Sequence, residues 1–388
     1  MSRRTLSAGP LRIPAPAPTV ALAAFAVALA GAVTSCSRAP TPYFVGTAGP
    51  QTLGFGVQNQ RGIELAIDEI NRAGGVHGHP LRLVVADDRG TGADAARVAS
   101  GFVDNHDVLA VIGHVTSASE MSAARVYDHG KLAAVATTPS SPDLTGISPW
   151  VFRMITSDSA NGVTLARFAT ALADSLHHPV RAAVLYHNDA YGRGLADAFL
   201  HTFRGVVINT DPIGNETNLE PYVAYFRDRR PDIVFVASDE ELGLRFLREA
   251  HRQQLAAVFL GGDGWQGITT DSAAEGAYVG TPFTSEGGAG TAQHFVDAYR
   301  ARYHLTPDAQ SALAYDAAQV IAHAIGRAAD HGRVTRATVR EALAGLSRGD
   351  AISGASGPVW FASNNDRLGE QFRVARVRDG VLLPVGAP

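Results

Sequence analysis

From Tyr43 onward, apolar stretches of strand length alternate with stretches that carry apolar residues at helical spacing. Tyr43 to Thr47 reads as a strand, and Val57 to Ala73 sets Ile63, Ile67 and Ile70 on one helical face until Gly74 and Gly75 end it. Leu81 to Ala86, Val108 to Ile112 and Ala133 to Thr137 follow as strands, with helices predicted over Ala93 to Asp104 and Ser119 to His129. A second series has strands near Arg181 to Tyr186, Val206 to Thr210, Ile233 to Ala237 and Val258 to Leu260. Its helices are predicted over Ser159 to Leu176, Arg193 to Phe203 and Glu240 to Gln253. Strand and helix in alternation predict strand-helix-strand units and mainly parallel sheets, so two similar α/β bodies are expected in tandem. The stretch from Thr291 to Leu346 is helical and brings no strands of its own. It has to pack on one of those bodies, which a chain returning to its first lobe explains.

The first 35 residues break the alternation. Arg3, Arg4 and Arg12 precede an apolar run of small side chains from Val20 to Val33, with no acidic residue before Arg12. A charged segment followed by an apolar core of this length reads as a signal peptide over residues 1–35, too short to span a bilayer. The run ends in Val33-Thr34-Ser35-Cys36, which resembles a bacterial lipobox, and Cys36 is the single cysteine of the 388 residues. Lipidation at Cys36 is therefore expected, with a buried thiol as the plain alternative. Ser2-Arg3-Arg4 hints at twin-arginine export, although Pro14, Pro16 and Pro18 separate it from the apolar core. Removing the leader takes away three basic residues and no acidic one, moving the formal charge from −4 to −7. Nucleic acid is an unsuitable partner for such a chain. The remaining stretch of about 350 residues exceeds one ordinary hydrophobic core, which agrees with two domains.

Five segments carry a resemblance to the leucine/isoleucine/valine-binding proteins, periplasmic binding proteins of type I. They are Gly62 to Gly78 (GIELAIDEINRAGGVHG), Val111 to Ser119 (VIGHVTSAS), Ser141 to Gly162 (SPDLTGISPWVFRMITSDSANG), Val184 to Phe199 (VLYHNDAYGRGLADAF) and Gly261 to Gly264 (GGDG). The resemblance implies an α/β fold of two doubly wound parallel-sheet lobes joined by three crossover segments, near Val151 to Ile155, Tyr278 to Pro282 and Ser353 to Gly357. Lobe 1 is then expected over 36–154 plus 280–354, and lobe 2 over 155–279 plus 355–388. It further implies an exported solute-binding lipoprotein, periplasmic or at the cell surface. Such a protein closes on a small polar ligand, an amino acid above all, and presents it to the membrane permease of an ABC importer. No cofactor, metal or enzymatic activity is implied.

Loops at the carboxyl ends of parallel strands are where ligand groups converge. Ser117 stands at the start of a helix, where free amides favour a carboxylate, and it matches the family's carboxylate-binding serine; with Glu120 it also has the spacing of a capping box. Thr138 and Ser140 lie in the hydroxyl-rich loop that matches the family's contacts to the ligand's amino and carboxylate groups, with the proline displaced to Pro139. Phe55 falls where the family places a covering aromatic, and core packing is its alternative. Tyr191 matches a ligand-facing tyrosine. Asp263 matches the acidic partner of the ammonium group, and the alternative is an ordinary Asp-Gly turn. Ser238, followed by Asp239, replaces an aromatic often found in the family and predicts a more polar pocket floor. Thr116 replaces a cysteine that is disulfide-bonded in some members.

An enzymatic reading rests on Gly192-Arg193-Gly194 after a strand, with Asp211 beyond the next strand, but Asp197 stands where a dinucleotide fingerprint needs a small residue. No Gly-x-Ser-x-Gly elbow occurs, and His77 and His79, like His177 and His178, lack the further ligands of a zinc site. A ligand-sensing role is the serious rival to transport. Urea, short amides and small carboxylates are the rival ligands.

Overall fold

The computed structural model describes residues 40–214, 218–369 and 371–386, together with Gly9. The first sheet is built from β1 (Tyr43–Gly49), β2 (Leu81–Asp87), β3 (Val108–Ile112), β4 (Ala133–Ala136) and β5 (Val151–Arg153), all parallel in the order β2-β1-β3-β4-β5. Between them run α1 (Gly54–Arg72), α2 (Gly92–Asp104) and α3 (Ser117–Gly130). The pleat of β3 shows why the sheet needs helices on both faces. Ala110 and Ile112 pack into one core with Ile63 and Ile67 of α1, while Val111 between them packs into another with Phe102 of α2 and Tyr127 of α3.

The second sheet has the order β15-β14-β10-β9-β8-β6-β7. Its parallel part is β6 (Arg181–His187), β7 (Val206–Ile213), β8 (Ile233–Ala237), β9 (Val258–Gly261) and β10 (Tyr278–Thr281). The covering helices are α4 (Asp158–Leu176), α5 (Ala190–Thr202), α6 (Glu220–Arg229) and α7 (Glu240–Arg252). Helix α6 has only Val223 and Phe226 buried, two anchors too few to show a period in the sequence. An antiparallel hairpin, β14 (Arg373–Arg378) and β15 (Val381–Pro384), completes the sheet. Its two-residue turn is Asp379-Gly380, both at positive φ (51° and 80°), the turn for which Asp-Gly is favoured.

The helical stretch becomes α8 (Thr291–Tyr303), α9 (Ala309–Asp330) and α10 (Arg336–Ala344), and all three contribute to the core of the first body. Helix α9 begins with a reciprocal capping box of Asp308 and Ser311, and its alanine-rich surface is buried nearly all round. A small antiparallel sheet follows, β11 (Ile352–Gly354), β12 (Gly357–Phe361) and β13 (Arg367–Leu368).

Two of the three passages between bodies fall within the expected segments, and the third lies later. Val151 to Arg153 is a strand of the first sheet and Tyr278 to Thr281 a strand of the second, so the chain crosses after each. The third passage, expected near Ser353 to Gly357, falls after Leu368. Val359 and Phe361 are buried in the first core, so residues 355–368 belong with the first body and not the second. Two buried arginines bind this corner. Arg153 donates to Asp366 at 2.9 Å and to the Ser141 carbonyl at 2.8 Å, and Arg367 donates to the carbonyl of Met154 at 3.0 Å.

Candidate functional site

The loops after β3 and β4 bring up the first set of polar groups. Thr116 caps α3, its Oγ1 accepting from the Ser119 amide at 3.2 Å. The expected Ser117-Glu120 capping box is therefore absent. Glu120 takes the His114 amide at 2.8 Å through Oε2 instead. Released from capping, Ser117 accepts from the Ser141 amide at 3.1 Å, which leaves its own hydroxyl hydrogen to be donated. The opening amides of α3 have no acceptor within the helix, so the corner presents donors. Thr138 donates to the Val115 carbonyl at 2.8 Å. Ser140 is buried beside Asp158, and its carbonyl accepts from the Asp158 amide at 2.8 Å.

The second body supplies the acidic side. Asp189 caps α5 by accepting from the Gly192 amide at 2.7 Å, which sets Tyr191 on the first turn. The Tyr191 hydroxyl donates to Asp263 Oδ1 at 3.2 Å and accepts from the Gly264 amide at 2.9 Å. Asn161, on the first turn of α4, donates to the same Oδ1 at 2.8 Å. Glycine permits this approach: a methyl group at Gly262 would lie 2.6 Å from the Tyr191 hydroxyl, and one at Gly264 2.6 Å from the Ser238 carbonyl. Burial pushes the Asp158 carboxyl well above the usual carboxylate range, and the charge of Asp263 adds to the shift. Burial, then the Asp263 and Asp158 charges, likewise raise the Tyr191 hydroxyl. A cation entering between these groups would relieve the repulsion.

Ser117, Ser140, Tyr191 and Asp263 thus converge from the two bodies, linked through Ser141 and Asp158. Ser238 departs from expectation. It is 0% exposed, and its hydroxyl donates to the Asp239 carbonyl and accepts from Trp265 Nε1 at 3.2 Å, so it holds the tryptophan rather than flooring a pocket. Phe55 is half-buried on the first turn of α1, beside Gly54, where a methyl group would stand 3.8 Å from the Glu240 carboxylate of the second body. The glycine of Gly192-Arg193 serves packing, since a methyl group there would meet the His187 carbonyl at 2.2 Å. Cys36 lies outside the described residues. Asp158 and Asn161 were not legible as site residues. Their spacing of three at a helix start is ordinary, and only the bond of Asn161 to Asp263, 102 positions away, and the Asp263 charge acting on Asp158 mark them.

Residues 43–381 match the family described as "Periplasmic binding protein". An amino acid binding protein of Pseudomonas aeruginosa is 30% identical over 258 residues, covering 64% of this chain and 67% of that one. A Leu/Ile/Val-binding protein homolog of Brucella melitensis is 26% identical over 92% of this chain and 97% of its own. Among solved structures, an ABC transporter substrate-binding protein from Desulfitobacterium hafniense in complex with Leu superposes with a TM-score of 0.75 at 30% identity, covering 89% of this chain and all of that one. A solute-binding protein of an ABC transporter from R. palustris in complex with benzoate reaches 0.79 at 18% identity, with 89% and 96% covered, a likeness of fold alone.

Proposed function

Because this chain belongs to the periplasmic binding protein family, whose members are solute-binding proteins of transporters and not enzymes, we propose that it captures a small α-amino acid for an ABC importer. The observation that carries this reading is the opposition of a donor-rich corner, Ser117 with the start of α3, to a buried acidic group of Asp263 and Asp158. An α-amino acid offers a carboxylate to the first and an ammonium to the second. Charge-assisted hydrogen bonds of this kind are about twice as strong as neutral ones. Thr138, Ser140 and Tyr191 complete the ring of contacts, and Phe55 covers the ligand from α1. In this reading 1–35 is the export signal, Cys36 carries the lipid anchor, and the two lobes exchange at the passages after Arg153, Thr281 and Leu368.

Titration calorimetry with an amino acid and its deaminated analogue tests the assignment. Asp263→Ala leaves a desolvated ammonium without its partner, a loss on the order of 2 to 5 kcal/mol, more than tenfold in affinity. The deaminated analogue is indifferent to the change or binds better without the repelling charge. Equal binding of both compounds to the unaltered protein would defeat the amino-acid reading and favour a carboxylate such as a benzoate.

A further inference from the structure

A second group of polar side chains lies along the same interface, three residues beyond Asp263 in its turn and at the start of α9. Gln266 follows in the turn Asp263–Thr270 and is 3% exposed, yet neither Nε2 nor Oε1 has a hydrogen-bond partner among the described residues. Across from it, on the first turn of α9, Gln310 is 8% exposed with Oε1 equally without a partner. Helix α9 packs against that turn, and Glu240, which presses on Gly267 of the turn, also feels the charge of Asp308 at the start of α9, so both amides belong to this contact between the bodies. The place is continuous with the proposed ligand contacts. Asn59 of α1 donates to Thr137 Oγ1 at 2.7 Å and to the Gln310 carbonyl at 3.4 Å, and Thr137 adjoins Thr138.

Buried amides without partners are rare in folded proteins, because each forfeits its hydrogen bonds to water and recovers nothing. Two of them at one contact between the bodies are explained by a ligand that bonds them. The geometry points to a distal subsite, Gln266 with Gln310, that takes a ligand side chain ending in a carboxamide, a group that both donates and accepts. This rests on the amino-acid reading and narrows it to amide-ended amino acids. A branched aliphatic side chain leaves three polar atoms buried and unpaired. A carboxylate end is repelled, since Glu240 presses on the same turn, where a methyl group at Gly267 would be 2.1 Å from its carboxyl, and Asp308 adds a second negative charge nearby. An ammonium end is attracted by the same two charges and satisfies the two acceptor oxygens, but it strands the Gln266 donor and gives up its own hydration, which a neutral carboxamide does more cheaply.

Calorimetry of the unaltered protein with L-glutamine, L-asparagine, L-leucine, L-glutamate and L-lysine ranks these cases without any variant. One of the two amide-ended ligands is expected to bind at least tenfold more tightly than leucine, glutamate or lysine. The double variant Gln266→Leu, Gln310→Leu, checked for folding by its melting transition, is expected to lose at least tenfold for the amide ligand and to gain for leucine. Leucine, glutamate or lysine binding the unaltered protein as tightly as both amides overturns the subsite. Should benzoate bind while no amino acid does, the amino-acid reading fails separately. The subsite is then judged by 4-carbamoylbenzoate against benzoate: preference for the carbamoyl compound keeps it and equal binding overturns it.

Discussion

Glu120 shows how one residue couples the site to pH. Its carboxyl is fully buried under the start of α3 and pushed up to about 7 by burial, with the charge of His114 and its amide acting the other way and Asp88 reinforcing the rise. His114 in turn bonds Asp88 at 2.5 Å and Tyr127 at 3.0 Å, so the carboxyl faces a closed polar group with no route to water. The folded state then holds a proton that the unfolded state releases near the ordinary value of 4.5. Stability contributed by this residue is lost as pH rises from about 4.5 to about 7 and is constant on either side. Glu120→Gln keeps an acceptor for the His114 amide and removes the titration. Relative to the unaltered protein, the variant should gain stability progressively across that window, by at most about 3 kcal/mol at pH 8. Denaturant unfolding of both proteins at pH 4.5, 6 and 8 measures it, and a difference that does not change with pH would refute the assignment.

At the scale of elements, the turn bearing Asp263 and Gln266 is located by the packing of Trp265 into helix α7. The indole is fully buried and fits because two backbone positions lack side chains: a methyl group at Gly243 would come 2.3 Å from Nε1, and one at Gly261 2.1 Å from Cδ2. Gly243→Ala should therefore displace the ring, cost roughly 1 to 3 kcal/mol of stability, and weaken ligand binding by moving the turn. Gly101 makes the matched comparison, since it is exposed in α2 with nothing within 4 Å of an added methyl group. Gly101→Ala should raise stability by up to about 1 kcal/mol through helix propensity and leave affinity unchanged. Thermal melting and calorimetry on the two variants separate close packing from propensity; similar effects at both positions would show that the Trp265 contact does not position the turn.

For the whole molecule, the proposed function draws ligand groups from two bodies joined by three passages and so predicts closure by hinge motion. A ligand shifts that equilibrium only by its preference for the closed form. Small-angle scattering should record a smaller radius of gyration on saturation with a tight ligand, and an unchanged radius would count against the mechanism. Arg153, anchored between the Ser141 carbonyl and Asp366, and the Asp158 amide, bonded to the Ser140 carbonyl at 2.8 Å, hold the first passage to the donor corner. The leader adds the expectation that Cys36→Ser releases the protein from the membrane fraction. Identical fractionation of the variant would dismiss the lipid anchor.

Local order alone determined the alternation of strands and helices, because a period of two or of 3.6 is written in neighbouring residues. The parallel series β1 to β4 and β6 to β9 was legible for that reason, as were the loops holding Ser117, Thr138, Ser140, Tyr191 and Asp263 at the ends of strands. Segments with few buried anchors or with mixed polar and apolar residues escaped, among them β5, α6, β10 and the hairpin β14-β15. The body to which residues 355–368 belong was decided only when Val359 and Phe361 found space in the first core. Pairings across long sequence separation were decided in the same way. Asn161 with Asp263, Ser238 with Trp265, and Gln266 opposite Gln310 depend on how two close-packed bodies meet, and no local pattern encodes that meeting.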